Sequence, residues 1–508
     1  GYLSAVSPVL HFGLGGTSVV DTLRVVWPNG KQQFLANVKT NQVLTLREAD
    51  ATQPAPKPVM PAPLFSETPS PLTFTHQPQS VNDFDRQPLL TTELSHTGPC
   101  LATGDLNGDG RDDVFVGGGA GQAGMVFLQQ AGQRFAPAPS PAFEADKACH
   151  DAAAAIFDAN GDGHPDLYVA SGGYHAFAPD DVLLQDRLYL NDGKGRFTKT
   201  PDALPPMRSS KSTVAVGDAN RDGKPDLFVG GRAVPGRYPE TPESFLLVND
   251  GKGHFTNQTA ALAPALQRPG LVTDAKFVDL NGDKNPELVV VGEWMPVAVY
   301  GSEGGKWVDK TGMFFEKPLR GWWNHLAVGD FNRDGKTDLV VGNWGENSQI
   351  RASDAQPTEL YAADFDGNGS VEPILCAYVR GKSYPYVTRD ELLNQLSAFR
   401  ARYPSYESYA DATLTDLFDA ATLEGATHLT ANCLRTSLLL SHPSGKFTSA
   451  PLPPEAQYAP VHAIAVLDAD RDGRDDLLLA GNESHAKIRL GRMDANYGVL
   501  LRGDGRGG

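Results

Sequence analysis

The chain reads as an all-β protein whose main part is a seven-bladed β-propeller with calcium-binding loops, on three observations. One acidic nonapeptide, Asp-x-(Asn/Asp)-x-(Asp/Asn)-Gly-x-x-(Asp/Glu), recurs seven times, beginning at Asp105, Asp158, Asp218, Asp279, Asp330, Asp364 and Asp468. Each copy runs into a short apolar strand, as Val114-Phe115-Val116 follows the first. Tight turns recur too: Asn191-Asp192-Gly193-Lys194-Gly195 and Asn249-Asp250-Gly251-Lys252-Gly253 sit between β-type runs, with weaker echoes at Ser302, His442 and Arg502. Asp-Gly supplies the positive φ that such turns need. Four strands in about 60 residues make a propeller blade rather than the shorter, capped repeat of a solenoid.

Residues 1–47 form a separate strand-rich piece, because Val20 to Trp27 alternates and Asn29-Gly30 then signals a hairpin. Residues 48–63 are Pro- and Ala-rich and read as a semi-rigid linker. The propeller occupies residues 64–508. Its sixth blade carries a helical insertion at about residues 380–432: Thr388-Arg389-Asp390-Glu391 has capping-box spacing, and Leu392, Leu393, Leu396 and Phe399 recur on one face. A second helical run holds Leu414, Leu417 and Phe418. The pair serves as a lid, a docking surface or packing. The last turn, Asp504 to Gly508, has no strand after it. Either the chain stops early or Leu72-Thr73-Phe74-Thr75 completes the last blade, and the second reading removes an exposed edge.

The loops carry the clearest chemistry. Oxygen side chains at positions 1, 3, 5 and 9, with Gly at 6 to turn the backbone, suit a hard cation with many oxygen ligands. Five sets are complete: Asp105/Asn107/Asp109/Asp113, Asp158/Asn160/Asp162/Asp166, Asp218/Asn220/Asp222/Asp226, Asp330/Asn332/Asp334/Asp338 and Asp468/Asp470/Asp472/Asp476. The fourth loop, Asp279/Asn281/Asp283/Glu287, has Lys284 where Gly is wanted. The sixth, Asp364/Asp366/Asn368/Glu372, has one carboxylate fewer and a longer last ligand. Five to seven structural Ca2+ sites follow, and seven divalent ions would bring the formal charge of −17 close to neutral. Without an EF-hand's bidentate twelfth residue the sites are weak, and weak sites fill outside cells.

The acidic loops, Gly-Gly connections and Asp-Gly turns together resemble the FG-GAP/VCBS repeat family, which implies a calcium-bearing seven-bladed propeller similar to the integrin α-subunit head. Gly1-Tyr2-x-Ser4, His11-Phe12-Gly13-Leu14-Gly15 and Val26-Trp27-Pro28-Asn29-Gly30-Lys31 resemble the second half of an ASPIC/UnbV domain, so the chain reads as a C-terminal piece of a longer polypeptide. That pairing implies a bacterial envelope or surface protein, some of whose relatives serve nutrient uptake.

The acidic loops are expected to share one face, and the connections on the other face have a different composition. They hold Tyr174, Arg232, Trp294, Trp322, Trp323, His325, Trp344, Arg351, His485, Arg489 and Arg492, including four of the six Trp. Aromatic planes beside Arg and His suit a glycan or a protein ligand. The expected function is therefore a calcium-stabilised extracellular or cell-surface binding module for a glycan or protein partner, in a nutrient-uptake or adhesion assembly. The alternative is a polysaccharide lyase or hydrolase using His325, His462, His485, Tyr384 or Glu293, though no spacing singles any of them out. Acidity argues against nucleic acid, and no apolar run is long enough to span a bilayer. There is no secretory leader at the start, so the chain is intracellular or already processed. Cys100, Cys149, Cys376 and Cys433 lack zinc-site spacing and are small buried thiols or one or two disulfides.

Overall fold

The computed structural model describes residues 9–56 and 64–508, and it divides into two units, residues 1–67 and 68–508. Gly1, Tyr2 and Ser4 of the resemblance, and residues 57–63 of the linker, lie outside the described residues. In the first unit Val19–Val26 and Lys31–Lys39 pair antiparallel around the expected turn, with Gly30 at φ 77. Gln53–Pro54 adds a third strand against Lys31 and Gln32. The unit therefore runs past residue 47, because the start of the Pro-rich stretch hydrogen-bonds as a sheet edge rather than as linker.

The second unit holds seven antiparallel sheets among its described residues. Sheets one to four run in chain order, each beginning with an acidic loop between its first two strands: Leu101–Gly104 to Asp113–Val116, His150–Phe157 to Asp166–Gly172, Ser210–Gly217 to Asp226–Ala233 and Leu271–Val278 to Glu287–Pro296. Sheet five starts with His325–Gly329 and Asp338–Gly342 but is completed only by Ser437–Ser441 and Phe447–Pro451. Between lies an inserted sheet of Thr358–Ala363, Glu372–Val379, Lys382–Pro385 and Thr427–Ala431. The last sheet has three strands, Ala463–Leu467, Asp476–Ala480 and Val499–Leu501.

Two expectations are thereby corrected. The sheet with the Asp364 loop is not a sixth blade following the fifth. The first strands of sheets one to five are successive neighbours, and that of sheet five packs next against that of the last sheet. Arg333 of the fifth acidic loop likewise donates to the Gly473 carbonyl of the loop beginning at Asp468 (2.8 Å). The arrangement is β-propeller-like, with six sheets in sequence and a seventh inserted into one of them. Nor does Leu72–Thr75 form a closing strand. Its Thr75 and the nearby Gln77 bond the Gln122 side chain in a connection of sheet one, and flanking Pro71 and Pro78 suit an irregular path.

The core sits between sheets, built by strands whose side chains alternate between two packed faces. Leu288, Val290 and Ala298 of sheet four join Phe228 and Leu246 of sheet three, while Val289 and Val291 face Leu326, Leu339 and Leu439 of sheet five. The helical insertion is present, with the Thr388–Glu391 capping box formed. It consists of short helices rather than a pair, at Arg389–Gln395, Tyr406–Ala410, Leu414–Leu417 and Ala420–Gly425. Leu392, Leu396, Leu414, Leu417 and Phe418 pack on Ile374 and Cys376 of the inserted sheet, so these helices cover that sheet's apolar side. All four cysteines are free, and burial raises each thiol.

Candidate functional site

Each acidic loop is a backbone cage closed by its own side chains. In the first, Asp105 accepts from the N–H groups of Gly108, Asp109 and Gly110 at 2.8–3.1 Å. Asp113 at position 9 is wholly buried and accepts from Leu106 N–H (2.9 Å) in the loop and Gln129 N–H (2.7 Å) in the third strand. Asp166, Asp226, Asp338 and Asp476 repeat this double bond with Asn191, Asn249, Ser441 and Gly503. The ninth residue thus ties the loop to its sheet, a role the spacing alone did not disclose. Two positions need a left-handed backbone, not one. Gly110, Gly163, Gly223, Lys284, Gly335, Gly369 and Gly473 have φ between 66 and 90, and the fourth position also does so with Arg221, Arg333 and Arg471 at 60–63. Each non-Gly residue there costs roughly 1–2 kcal/mol.

The third and fifth positions spend their oxygens on the turn. Oδ1 of Asn107, Asn160, Asn220, Asn281 and Asn332 accepts from the N–H two residues on, at 2.8–3.0 Å. Asp366 and Asp470 do the same at 3.2 Å. At position 5, Asp109, Asp162, Asp222, Asp283, Asp334, Asn368 and Asp472 likewise accept from the N–H two residues on, at 2.7–3.0 Å. Several are held further: Asn160 and Asn332 turn Nδ2 to Asp162 (2.9 Å) and Asp334 (3.3 Å), and Asp472 pairs with Arg474 (3.4 Å).

The loops differ in how closely their carboxylates approach one another. Among the described residues, the loops at Asp364 and Asp468 alone bring three carboxylates within 4.8 Å of one another, in each case from positions 1, 3 and 9. Where position 3 is Asn, no such three-carboxylate group forms among the described residues. The Asn oxygens sit in the same turns. Each acceptor oxygen keeps a second lone pair, so these residues can still face a cation while holding the backbone.

Burial raises the ninth-position carboxyls of Asp113, Asp166, Asp226, Glu287, Asp338 and Glu372, and other carboxylates of the same loop add to the rise. Asp166 reaches about 6 and Glu372 about 7. A desolvated carboxylate among like charges either takes a proton or needs a cation, so the donor sets fit a hard divalent ion. The sixth loop fits well despite its shorter charge count. Carboxylate oxygens of Asp364, Asp366 and Glu372 converge, and buried Glu372 Oε1 has no hydrogen-bond partner among the described residues. In the loop at Asp468, the oxygens of Asp468, Asp470 and Asp476 converge likewise, with Arg502 paired to Asp470. In the fourth loop Asn281 turns its Nδ2 to Glu287 (2.9 Å), and Lys284 at φ 66 donates its N–H to Asp279 as Gly does elsewhere.

The sixth loop does not share a face with the others. Its Gly369 carbonyl accepts from Arg237 (3.0 Å) and its Val371 carbonyl from Gln87 (2.8 Å). Arg237 lies in the connection after Asp226–Ala233, at the opposite end of sheet three from the Asp218 loop. The inserted sheet therefore stands on the face where aromatic and basic residues gather.

A second element covers that face, the segment Asn82–Thr97 that precedes sheet one. Arg86 donates to the carbonyls of Tyr174, His175 and Phe177 in sheet two's connection (2.6–2.8 Å) and of Pro235 in sheet three's (3.1 Å). Gln87 joins Tyr174, Tyr238 and Val371. Asp83, wholly buried, accepts from Leu94 N–H, Ser95 N–H and the Ser95 hydroxyl at 2.6–2.8 Å. Sequence reasoning missed this cover, because a Pro-flanked segment without periodicity gives no signal of where it docks.

Under the cover the expected ligand aromatics are core. Trp294, Trp322 and Trp344 form a T-shaped chain with centroids 4.8 Å apart, packed with Leu90, Leu94, Tyr174, Tyr238, Leu360 and Leu375. Trp323 is wholly buried in a different cluster and donates to the Met295 carbonyl (3.1 Å). These rings present no open stacking plane, since the covering segment and inserted sheet supply their apolar partners. Trp294 adopts φ 61 at a register shift where Arg320–Trp322 joins sheet four, a strained position for an aromatic residue.

The polar members separate. Arg232 pairs with Glu293, whose other oxygen accepts from Tyr238 OH (2.8 Å), while Trp294 Nε1 donates to that hydroxyl (2.7 Å). His325 Nδ1 meets Asp274 (3.0 Å). His462 is exposed, yet desolvation, with Arg232 and His325 near, lowers its pKa to about 4. Burial raises the Glu483 carboxyl, with Glu293 and Glu93 near it. So Arg232, Glu293, His325 and His462 converge, whereas Tyr384 lies in a strand of the inserted sheet. Arg351 bonds its own loop's carbonyls, Arg489 sits over Tyr386 at 4.0 Å, and Arg492 pairs with Asp494 (3.5 Å). His485 lies beside Glu93 and His96.

No helix among the described residues is long and apolar enough to cross a membrane. Among known proteins, a family profile described as ASPIC and UnbV matches residues 1–53, and the FG-GAP-like repeat profile matches residues 105–169, 158–229 and 279–341. No curated protein sequence matches the chain significantly. Solved structures similar to it include the V. cholerae biofilm matrix protein Bap1 (11% identity, 81% of this chain and 82% of that one, TM-score 0.32). Saccharomyces cerevisiae Sqt1 is similar at 11% identity, over 77% and 96%, with TM-score 0.32. The Dos1 propeller matches at 11% and TM-score 0.29 over 48% of this chain, which spans 56% of that one. Residues 105–229 and 279–341 thus match FG-GAP-like repeats within a β-propeller-like fold, and residues 1–53 match ASPIC and UnbV.

Proposed function

We propose that the chain is a non-catalytic binding module of the cell exterior or bacterial surface, stabilised by Ca2+ in its acidic loops, and that its ligand is a protein. The observation that carries the choice of ligand is the burial of Trp294, Trp322, Trp323 and Trp344. A glycan would need such rings open for stacking. An open groove of about 490 Å3 instead offers Pro451, Leu452, Pro453, Pro454 and Tyr458, flanked by Asn347 and the Glu346–Arg435 pair. An apolar floor with a charged rim suits an extended polypeptide segment. Calcium is supported by the raised ninth-position carboxyls and the unpartnered Glu372 oxygen. Ion binding would lower those pKa values and hold the loops' backbone turns.

The test is a binding screen of the calcium-loaded protein against surface-protein, peptide and glycan arrays, with polysaccharide digestion followed by reducing ends. Protein or peptide binding that weakens when Tyr458 and Leu452 are replaced by Ala supports the reading. Glycan binding with no protein ligand overturns the ligand class, and sugar release makes the chain a polysaccharide-degrading enzyme.

A further inference from the structure

Three of the acidic loops place Asn directly before Gly, at Asn107-Gly108, Asn160-Gly161 and Asn281-Gly282, and Asn29-Gly30 repeats the pair in the hairpin of the first unit. At Asn-Gly a backbone nitrogen can attack the preceding side chain, since Gly leaves the approach open. The four glycines are alike in setting. Each is exposed with φ between 74 and 79, and nothing lies within 4 Å of where a Cβ would stand on Gly30, Gly108 or Gly282. In all four pairs the Asn Oδ1 accepts from the N–H two residues on, at 3.0 Å from Asp109, 2.9 Å from Asp162, 2.8 Å from Asp283 and 2.9 Å from Lys31. Such a donor stabilises the negative charge that develops on that oxygen during attack.

The pairs differ in what accepts the Gly N–H. In the loops it is the first-position carboxylate: Gly108 donates to Asp105 (2.8 Å), Gly161 to Asp158 (2.8 Å) and Gly282 to Asp279 (2.7 Å). Gly30 donates to the Trp27 carbonyl (2.9 Å). A carboxylate can draw off the proton that the attacking nitrogen must lose, and a peptide carbonyl cannot. We propose that Asn107, Asn160 and Asn281 are sites of self-deamidation, with the first Asp of each loop as the proton acceptor. The Gly nitrogen bonds to the Asn Cγ, the Cγ–Nδ2 bond breaks, and the Gly N–H proton leaves on the departing ammonia. Water then opens the cyclic imide, at the side-chain carbonyl to leave aspartate or at the backbone carbonyl to leave isoaspartate. Aspartate at position 3 is what the Asp364 and Asp468 loops already carry, and there the carboxylates of positions 1, 3 and 9 converge. Conversion to aspartate therefore moves an Asn loop to the three-carboxylate type, whereas isoaspartate lengthens the backbone and undoes the turn.

The experiment incubates the full chain at neutral pH and follows each Asn-Gly peptide by mass over time. Asn107, Asn160 and Asn281 are expected to convert about a hundredfold faster than Asn29, the lower end of what a placed proton acceptor contributes. Asp105→Asn should bring Asn107 down to the rate of Asn29 while Asn160 and Asn281 stay fast, so the two unaltered loops report that the fold has survived. Gly108→Ala should slow Asn107 as well. Loop rates equal to or below that of Asn29, or an Asn107 rate unmoved by Asp105→Asn, would overturn the proposal.

Discussion

Replacing Arg86 by Met removes the clamp of the covering segment while keeping most of its apolar stem. Four carbonyls, of Tyr174, His175, Phe177 and Pro235, lose the guanidinium donor. Hydrogen bonds to a charged donor contribute about 1.5–3 kcal/mol each, but Arg86 is only half-buried and water replaces part of the loss. The local opening free energy of the segment should therefore fall by about 2–4 kcal/mol, or about 30- to 900-fold in amide exchange. The amides to read are Leu94 and Ser95, whose N–H groups are held by buried Asp83. Mass-resolved hydrogen exchange on wild type and variant measures the ratio. Arg86→Lys should restore part of the protection, since one ammonium cannot reach four acceptors at once. Unchanged protection at Leu94 and Ser95 in Arg86→Met would refute the claim that this residue holds the cover shut.

Chelation should lower the melting temperature by many degrees, because each site with a 0.1 mM dissociation constant contributes about 1.4 kcal/mol at 1 mM ion; a scan unaltered by chelator would remove structural calcium. Trp323→Ala should cost about 3–5 kcal/mol, since the ring is wholly buried, so denaturation will show a large loss where an exposed ligand contact would show none. Lys211 and Asp186 form a buried pair at 2.8 Å, and Lys211→Met should cost about 3–5 kcal/mol by stranding the carboxylate, as urea unfolding would report. Burial, opposed by nearby Asp151, lowers the His150 pKa to about 4. The unfolded ring takes its proton near pH 6.5 and the folded one only near 4, so protonation favours unfolding. Stability should be fully present above pH 6.5 and fall by up to about 3 kcal/mol toward pH 4, a slope that His150→Gln should flatten.

The repeat was legible because its ligands and its turns are local. Asp105 to Asp113 encodes a strand, a cage and the next strand within nine residues, and the structure keeps that order in every copy. The division of labour inside the loop was less legible, since Asn107 and Asp109 read equally well as ligands or as the turn-holding acceptors they are here. What sequence could not give was the partner of each element. Nothing near Asp364 distinguishes its strand pair from a blade, since the displacement shows only when Leu339 and Leu439 are seen to pair. Trp322 and Trp344 look alike whether open or covered, and the cover comes from residues such as Leu90 and Leu94 with no periodic pattern. The Glu93–His485 meeting spans almost the whole unit and leaves no spacing motif.

The inserted sheet also sets an order of assembly. Its entry and exit touch: Asn343 Nδ2 bonds the Cys433 carbonyl (3.0 Å), and Gly345 N–H bonds the Leu434 carbonyl (2.7 Å). The insertion thus hangs from sheet five as a branch, and the trunk can be traced without it. The strand Asp338–Gly342 nevertheless pairs with Ser437–Ser441 only after the branch has been made, a loop closure far longer than any hairpin elsewhere in the repeats. During synthesis sheets one to four can close as each leaves the ribosome, while sheet five stands half-built with an open edge until the branch has folded.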